Sequence, residues 1–394
     1  MARMPDRTRH PEERPRLVAG TMTGTSIDGD LDAALVSVHG RGLHMRARVE
    51  ATGSWPLGAV ADDLRRIAAQ EPLPAREFAR VARAFGDVHA HALAELCSNA
   101  GVQPDLAVLH GQTVFHAPPL TWQLIDPWPT AVRLGCRVRY DLRSANAASG
   151  GQGAPITPLA DFVLFADGPG PTLIMNLGGF INATLVPPRA EGVGAIRGFD
   201  VCACNHLLDR VARTRLGTPF DRDGAAASRG TADHALARRI SEAITPPLTP
   251  GASRRSLGTG DEAARMVACT EFLAADDACR TVVDAIADAA MRVIESELGA
   301  PVADIRIAGG SARHRALQDA LARRSRATVR TTDESDGIPV QMREAVEIAI
   351  LGALADDGVR YSLPQVTGAT SVVPESAVLE AAAKTAVPNE RPQV

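Results

Sequence analysis

Aromatic residues are scarce: three Trp, two Tyr and nine Phe stand among 394 residues. A core must then be built from Ala, Val, Leu and Ile, and ring platforms for stacking nucleic-acid bases are not expected. No basic block is present and the net charge is -4, so no nucleic-acid partner is expected. No 18-residue apolar run free of charge occurs, so no membrane span is expected. The opening MARMPDRTRHPEERPR carries charge and proline but no apolar signal stretch. Residues 1–16 read as a frayed arm, and the protein is expected in the cytoplasm. The six cysteines (97, 136, 202, 204, 269 and 279) show no zinc spacing, which makes reduced thiols the default. Cys202-Ala-Cys204 is the one close pair, and a CxC without a second ligand pair is a weak metal signal. With 45% hydrophobic and 22% charged residues, the composition is that of a globular chain long enough for two domains.

What the chain does have is a loop of small and hydroxyl residues near its start. Residues 17–36 read LVAGTMTGTSIDGDLDAALV, two apolar runs around a turn of Gly20, Thr21, Thr23, Gly24, Thr25, Ser26, Asp28 and Gly29. Small residues let backbone approach a ligand, and hydroxyls with bare N–H groups are the donors a phosphate needs. Asp28 and Asp32 add carboxylates that suit a magnesium ion beside that phosphate. The order is strand, loop, strand. It is not a strand–GxxxxGK[ST]–helix site, and no Lys sits in it. An ordinary hairpin turn reads the same residues equally well.

Alternation over 17–50 predicts a β-meander, and helical spacing over 61–100 predicts helices. Leu106–Leu109 and 137–141 read as strands, and SGGQGAPITP at 149–158 as an irregular segment. A second round opens at Thr172, where an apolar run meets Asn176-Leu177-Gly178-Gly179 and a strand resumes at Ile181. Helices are expected near 203–216, 231–244 and 262–298, with loop over 245–260. Strand 304–307 meets Gly309-Gly310-Ser311, helix 317–324 follows, and QMREAVEIAILGALADD at 341–357 is a strong helix.

Two hairpin-opening halves, each with a Gly turn, and a third Gly turn before a helix resemble the α/β two-domain actin/hexokinase/Hsp70-like (ribonuclease H-like) kinase fold. That fold implies ATP bound in an interdomain cleft, with phosphate loops at 23–29 and 176–182 and an adenosine loop at 308–313. Expected boundaries are 17–145 for the N-terminal α/β domain, joined by the C-terminal helical stretch 341–370, and 146–340 for the second domain. A tail follows over 371–394. Hinges are expected near 140–170 and 335–345.

Longer motifs resemble one family, the anhydro-N-acetylmuramic acid kinases. GTMTGTSIDG resembles their G-x-M-S-G-T-S-x-D-G, and His110-Gly111-Gln112-Thr113 through Pro118 resembles HGQTVxHxP. Asp141-Leu142-Arg143 and Gly150–Pro155 resemble DFR…GGQGAP, Asn176–Asn182 resembles NLGGxxN, and Phe220–Gly224 resembles YDxDG. Thr332–Glu334, Glu344-Ala345 and Leu363–Ala369 match as well, so the order holds from about residue 17 to 370.

The resemblance implies a reaction in which water attacks C1 of a bicyclic 1,6-anhydro sugar, the bridge opens and O6 takes the γ-phosphoryl of ATP. The product is N-acetylmuramic acid 6-phosphate, a step in cell-wall recycling. Opening an acetal with water needs a carboxylate base at C1, and phosphoryl transfer needs donors and Mg²⁺. The resemblance assigns the base to Asp200 and places Asp28 at the γ-phosphate and magnesium. It implies ATP contacts at Gly24, Thr25, Ser26, Asp28, Gly29, Asn176, Gly178, Gly179, Gly309 and Gly310. Sugar contacts are expected from His110, Gln112, Thr113, Asp126, Arg143 and Glu344. Arg143 has the planar fork that suits a sugar-acid carboxylate, and a structural ion pair would use it as well. Two His alone, His110 and His116, make a poor zinc site. Partners are therefore the sugar and ATP, and a homodimer is left open.

Several segments depart from the pattern. The family's DTGPGN is Asp200-Val201-Cys202-Ala203-Cys204-Asn205, its KSTGRE is Arg255–Gly260, and its GGGSRN is Gly309–His314. The first loop has one extra residue at Asp30-Leu31, Asp126 follows Ile125 in place of Gly, and the second Asp after DFR is Asn146. Three readings follow: the family reaction, the same fold acting on another sugar, or a catalytically weak nucleotide or sugar sensor.

Overall fold

The computed structural model describes residues 14–24, 27, 29–245, 262–369 and 375–380. Thr25, Ser26, Asp28, the segment 255–260, the first thirteen residues and most of the expected tail lie outside the described residues.

The described strands are β1 (Arg16–Met22), β2 (Asp30–His39), β3 (Arg46–Pro56), β4 (Leu106–Leu109), β5 (Gln112–Ala117), β6 (Leu120–Leu124) and β7 (Arg137–Tyr140). They continue with β8 (Thr172–Leu177), β9 (Phe180–Val186), β10 (Arg197–Ala203), β11 (Asp304–Ala308), β12 (Thr328–Thr331) and β13 (Ala377–Leu379). The first sheet runs β13-β7-β4-β1-β2-β3 and the second β10-β9-β8-β11-β12. In each half three strands form an antiparallel meander, and two further strands add in parallel beside the first of the three. The same order, third-second-first-fourth-fifth, is thus built twice. This is the repeated α/β arrangement that the two Gly-turn hairpins predicted.

Both faces of each sheet are covered, so both sets of alternating strand residues are apolar. Ala33 and Leu35 of β2 point into a core beneath the helix Ala75–Asn99, while Ala34, Val36 and Val38 point to the opposite face. That opposite core also takes Ile174 and Val186 from the second sheet. Two helices, Pro158–Phe165 and Arg343–Asp356, contribute to this shared core between the sheets.

The helix Arg343–Asp356 lies directly on the first sheet because glycines open the way. A Cβ added at Gly20 of β1 would stand 2.3 Å from the Ala345 carbonyl and 2.6 Å from the Ala349 nitrogen. One at Gly352 of the helix would stand 2.2 Å from Val108 of β4. Outer helices, chiefly Ala275–Leu298 and Arg315–Ser325, cover the far face of the second sheet.

Some elements differ from the sequence expectation. The expected helix over 262–298 breaks into Glu262–Ala268 and Ala275–Leu298, with Thr270 Oγ1 turned back onto the Val267 carbonyl at 2.7 Å. Gln112–Ala117 and Leu120–Leu124 form an unforeseen hairpin. Within the expected tail, Ala377–Leu379 returns as an edge strand antiparallel to β7. The carboxylate of Glu375 anchors it by accepting from the Ser362 N–H at 3.0 Å.

Gly20→Ala is expected to cost about 3 kcal/mol of stability by overpacking. Gly194→Ala, where nothing lies within 4 Å of an added Cβ, is expected to change it by less than about 0.5 kcal/mol. Urea unfolding of both variants checks this.

Candidate functional site

The first candidate loop joins β1 to β2. Its entry is braced by Gln112, whose Oε1 accepts from Thr23 Oγ1 at 2.7 Å and whose Nε2 donates to the Gly24 carbonyl at 3.4 Å. The Ile27 N–H turns back to the Gly24 carbonyl at 3.1 Å, and Arg65 Nη2 donates to the Ile27 carbonyl at 2.6 Å. Ile27 is buried with φ at 52°, a left-handed conformation that a β-branched residue rarely holds. Gly29 follows at φ 113° with open space where a Cβ would be. Both ends of the Gln112 amide are therefore spent on this loop. Thr113 accepts from Gln123 Nε2 at 3.4 Å.

The second and third candidate loops are knitted together. The Gly178 and Gly179 carbonyls accept from the Asn205 and Cys204 N–H groups at 3.0 and 2.9 Å. Ser311 N–H donates to the Leu177 carbonyl at 3.1 Å, and its hydroxyl donates to Asn205 Oδ1. Gly309 has φ at 89°, and its N–H donates to the Val340 carbonyl at 2.8 Å. The glycines here do different work. An added Cβ at Gly309 would meet Asn176 Oδ1 at 2.7 Å, and one at Gly179 would meet His206 Nε2 at 2.7 Å. Gly178 has neither a positive φ nor a close neighbour, its nearest being the Phe180 carbonyl at 3.4 Å. An alanine would therefore fit at this turn without displacing its neighbours.

Between these loops sits Glu344, at the start of the helix Arg343–Asp356. Its Oε1 accepts from Asn176 Nδ2 at 3.2 Å, tying the first helical turn to the second sheet. Burial raises the pKa of its carboxyl, against the pull of Arg343 and Arg143. Arg143 donates from Nε to His110 Nε2 at 3.0 Å and from Nη1 to the Gly153 carbonyl at 3.0 Å. His116 lies on the same side, its pKa lowered by burial and by Arg143, with Nδ1 3.0 Å from Thr121 Oγ1. Among the described residues no group of three or more His, Cys, Asp or Glu is gathered for a metal.

Asp200 lies on β10 at a bulge, opposite Asn182, where the register shifts before Cys202. Burial pushes its carboxyl up to about 6, and among the described residues no neighbouring charge or hydrogen bond offsets that shift. Beyond it, Val201, Cys202 and Cys204 are fully buried in the core under the outer helices. Burial pushes the Cys202 thiol up to about 12 and the Cys204 thiol well above its usual value, so both stay protonated. The replacements at these positions are thus absorbed as packing.

The structure therefore joins Asn176, Glu344, Arg143 and His110 in one connected group, with Asn176 also against Gly309. It sets Gln112 on the first loop. Asp126 Oδ1 accepts from the Trp128 N–H at 3.0 Å, just before the helix Trp128–Leu134. Sequence reasoning missed Thr23 and Ser311 as braces, and the Asp161–Arg343–Glu347 cluster between the two inner helices. It also missed His89, whose signal was a lone polar residue in the buried stripe Val81, Phe85, His89, Leu93 and Leu96.

Two repeated sheets of this order, each opened by a hairpin with a Gly turn, define an α/β protein of the actin/hexokinase/Hsp70-like class. Residues 16–380 match the family described as anhydro-N-acetylmuramic acid kinase, and the chain belongs to that family. It is 35% identical over 378 residues to the anhydro-N-acetylmuramic acid kinase of Bordetella pertussis, covering 90% of this chain and 93% of that one. The relative of the same description from Synechococcus sp. (strain WH7803) is 34% identical over 380 residues, covering 89% of this chain and 96% of its own. Among solved structures, component A of the (R)-2-hydroxyglutaryl-CoA dehydratase of Acidaminococcus fermentans aligns with 87% of this chain and 99% of its own. That alignment has a TM-score of 0.44 and 12% identity, too distant to bear on chemistry.

Gly178→Ala is expected to raise the KM for nucleotide about tenfold while leaving stability within about 0.5 kcal/mol. Gly309→Ala is expected to lose at least about 1–2 kcal/mol, the cost of its positive φ, with the contact on Asn176 Oδ1 adding to it. Kinetics and thermal unfolding of the pair separate the two roles.

Proposed function

We propose that the protein opens the bridge of 1,6-anhydro-N-acetylmuramic acid with water and phosphorylates the released O6 from ATP. The observation that carries this reading is Asp200, a buried carboxyl pushed up to about 6 at a strand bulge, with no neutralising partner among the described residues. A general base works best with a pKa close to the operating pH. Asp200 takes a proton from water as the water oxygen bonds to C1. The C1–O6 bond breaks, and O6 bonds to the γ-phosphorus as ADP leaves. Arg143, with Nε and Nη1 already held, turns its remaining nitrogen to the sugar's carboxylate. Glu344 and Asn176 hold the sugar side of the cleft to the nucleotide side.

Magnesium fits the acids present. A nucleotide-bound Mg²⁺ needs only one or two carboxylates, the rest of its shell being phosphate and water. Asp28 is assigned that role from the sequence, and Asp32, half-buried and bonded by Ser54 Oγ at 2.5 Å, lies in the electrostatic field of Glu344. When bound, the ion offsets the charge of the transferring phosphoryl group.

Incubation with Mg-ATP and 1,6-anhydro-N-acetylmuramic acid, followed by mass spectrometry, is expected to show a gain of one water and one phosphoryl group on the sugar. Turnover only of another anhydro sugar, or ATP binding without any turnover, would overturn the assignment. Asp200→Asn is expected to abolish turnover and leave ATP affinity within about twofold. The base must be ionised, so kcat/KM is expected to fall about tenfold per pH unit below about 6. The raised pKa carries a second sign. Above pH 6 the folded protein holds an ionised carboxylate that the unfolded chain ionises more easily, which disfavours the folded state. Asp200→Asn is therefore expected to be more stable than the wild type at about pH 8, by thermal unfolding.

A further inference from the structure

Behind Arg143 lie buried polar groups that the reaction does not use, and their protons can be placed by elimination. Arg143 Nε lies 3.0 Å from His110 Nε2. A guanidinium has no acceptor, so His110 Nε2 must be the bare nitrogen. His110 is 2% exposed, and burial together with the Arg143 charge holds its pKa well below the usual value. The ring is neutral and carries its proton on Nδ1. That Nδ1–H is buried without a partner among the described residues.

His89, on the helix Ala75–Asn99, shows the complement. Thr21 Oγ1 lies 2.9 Å from His89 Nδ1 and 3.3 Å from the Val108 carbonyl. With the one hydroxyl proton on the carbonyl, Thr21 Oγ1 accepts from His89 Nδ1–H; with that proton on Nδ1, the ring carries its own on Nε2. Burial pushes the pKa of His89 down to about 3, so this ring is neutral too, and the first arrangement leaves its Nε2 bare. That Nε2 is buried without a partner among the described residues. Phe85 packs edge-on to the ring with centroids 4.4 Å apart and fixes its plane. The two histidines lie within electrostatic reach of each other, and the His110 backbone N–H donates to the Thr21 carbonyl at 3.3 Å.

We propose that one buried water molecule joins His110 Nδ1–H to His89 Nε2, which makes His89 a positioning residue for Arg143. The chain then runs one way: Arg143 to His110, to water, to His89, to Thr21, to the Val108 carbonyl. A bare donor and a bare acceptor in the same dry place are both costly, and a water with polar partners satisfies the two at once. His110 has one tautomer that fits: the other breaks two links and presents an N–H to the Arg143 N–H. The kinetic consequence rests on Arg143 being the sugar contact proposed above, whereas the tautomers do not.

Imidazole ¹⁵N spectra of the unliganded protein at neutral pH are expected to show His89 and His110 neutral, both with the proton on Nδ1. His110 protonated on Nε2 would overturn the chain. In steady-state kinetics His89→Leu is expected to raise the KM for the anhydro sugar about tenfold and leave the KM for ATP within about twofold. His89→Gln, which keeps an acceptor within reach, is expected to recover most of that loss. A sugar KM unchanged in folded His89→Leu, or a His89→Gln as impaired as His89→Leu, would overturn the positioning role. An Arg143→Ala variant with unchanged sugar KM would instead refute the sugar contact and leave the imidazole spectrum as predicted.

Discussion

A buried arginine sets the geometry between the two halves. Arg343 is 2% exposed, and its Nη2 donates to both oxygens of Asp161 at 2.8 and 3.0 Å. Glu347, one turn further along the same helix, stands 2.6 Å away. Burial raises the pKa of Glu347 well above the usual carboxyl value, against the pull of Arg343. The cluster is one cation held between two acids. An unpaired charge in such a place costs several kcal/mol. The helices Pro158–Phe165 and Arg343–Asp356 therefore meet where these groups meet.

The seating of the helix Arg343–Asp356 follows from that constraint. With 3.6 residues per turn, positions 343 and 347 share one face, and positions 345 and 349 share another. The first face binds Asp161. The second presses on Gly20 of β1, where any side chain would collide with Ala345 and Ala349. Glu344, between them, is left to face Asn176 and the arginine of another segment, Arg143. A single turn of helix thus fixes its contact with the inner helix, its seat on the first sheet and the acid in the cleft.

The glycines were legible as a group but not as individuals. Gly20, Gly179 and Gly309 are required by close neighbours or by a positive φ, whereas Gly178 is required by neither. A Gly-rich turn looks the same in either case, because the sequence carries the small residue and not the atoms around it. The same limit applies to Gln112 and Asp126. Both stand in recognisable motifs, yet one braces the first loop and the other accepts from the Trp128 N–H two residues on. The changes at Val201, Cys202 and Cys204 read in sequence as alterations to the cleft. Buried in the core, they leave the carboxylate of Asp200 at its bulge.

The hairpin that opens each half, its repetition and the family of the chain were determined by local signals. Alternation, Gly turns and ordered motifs act over a few residues and survive without knowledge of what packs on them. The tertiary structure alone decided which side chains meet. Asn176 and Glu344 are 168 residues apart, and Asp161 and Arg343 are 182 apart. His89 reads in sequence as a polar interruption of an apolar helix face, and only the fold sets its ring against Thr21. The reason is physical: a residue's own conformation depends on its neighbours in the chain, whereas burial and hydrogen-bond partners depend on which surfaces the whole fold brings together.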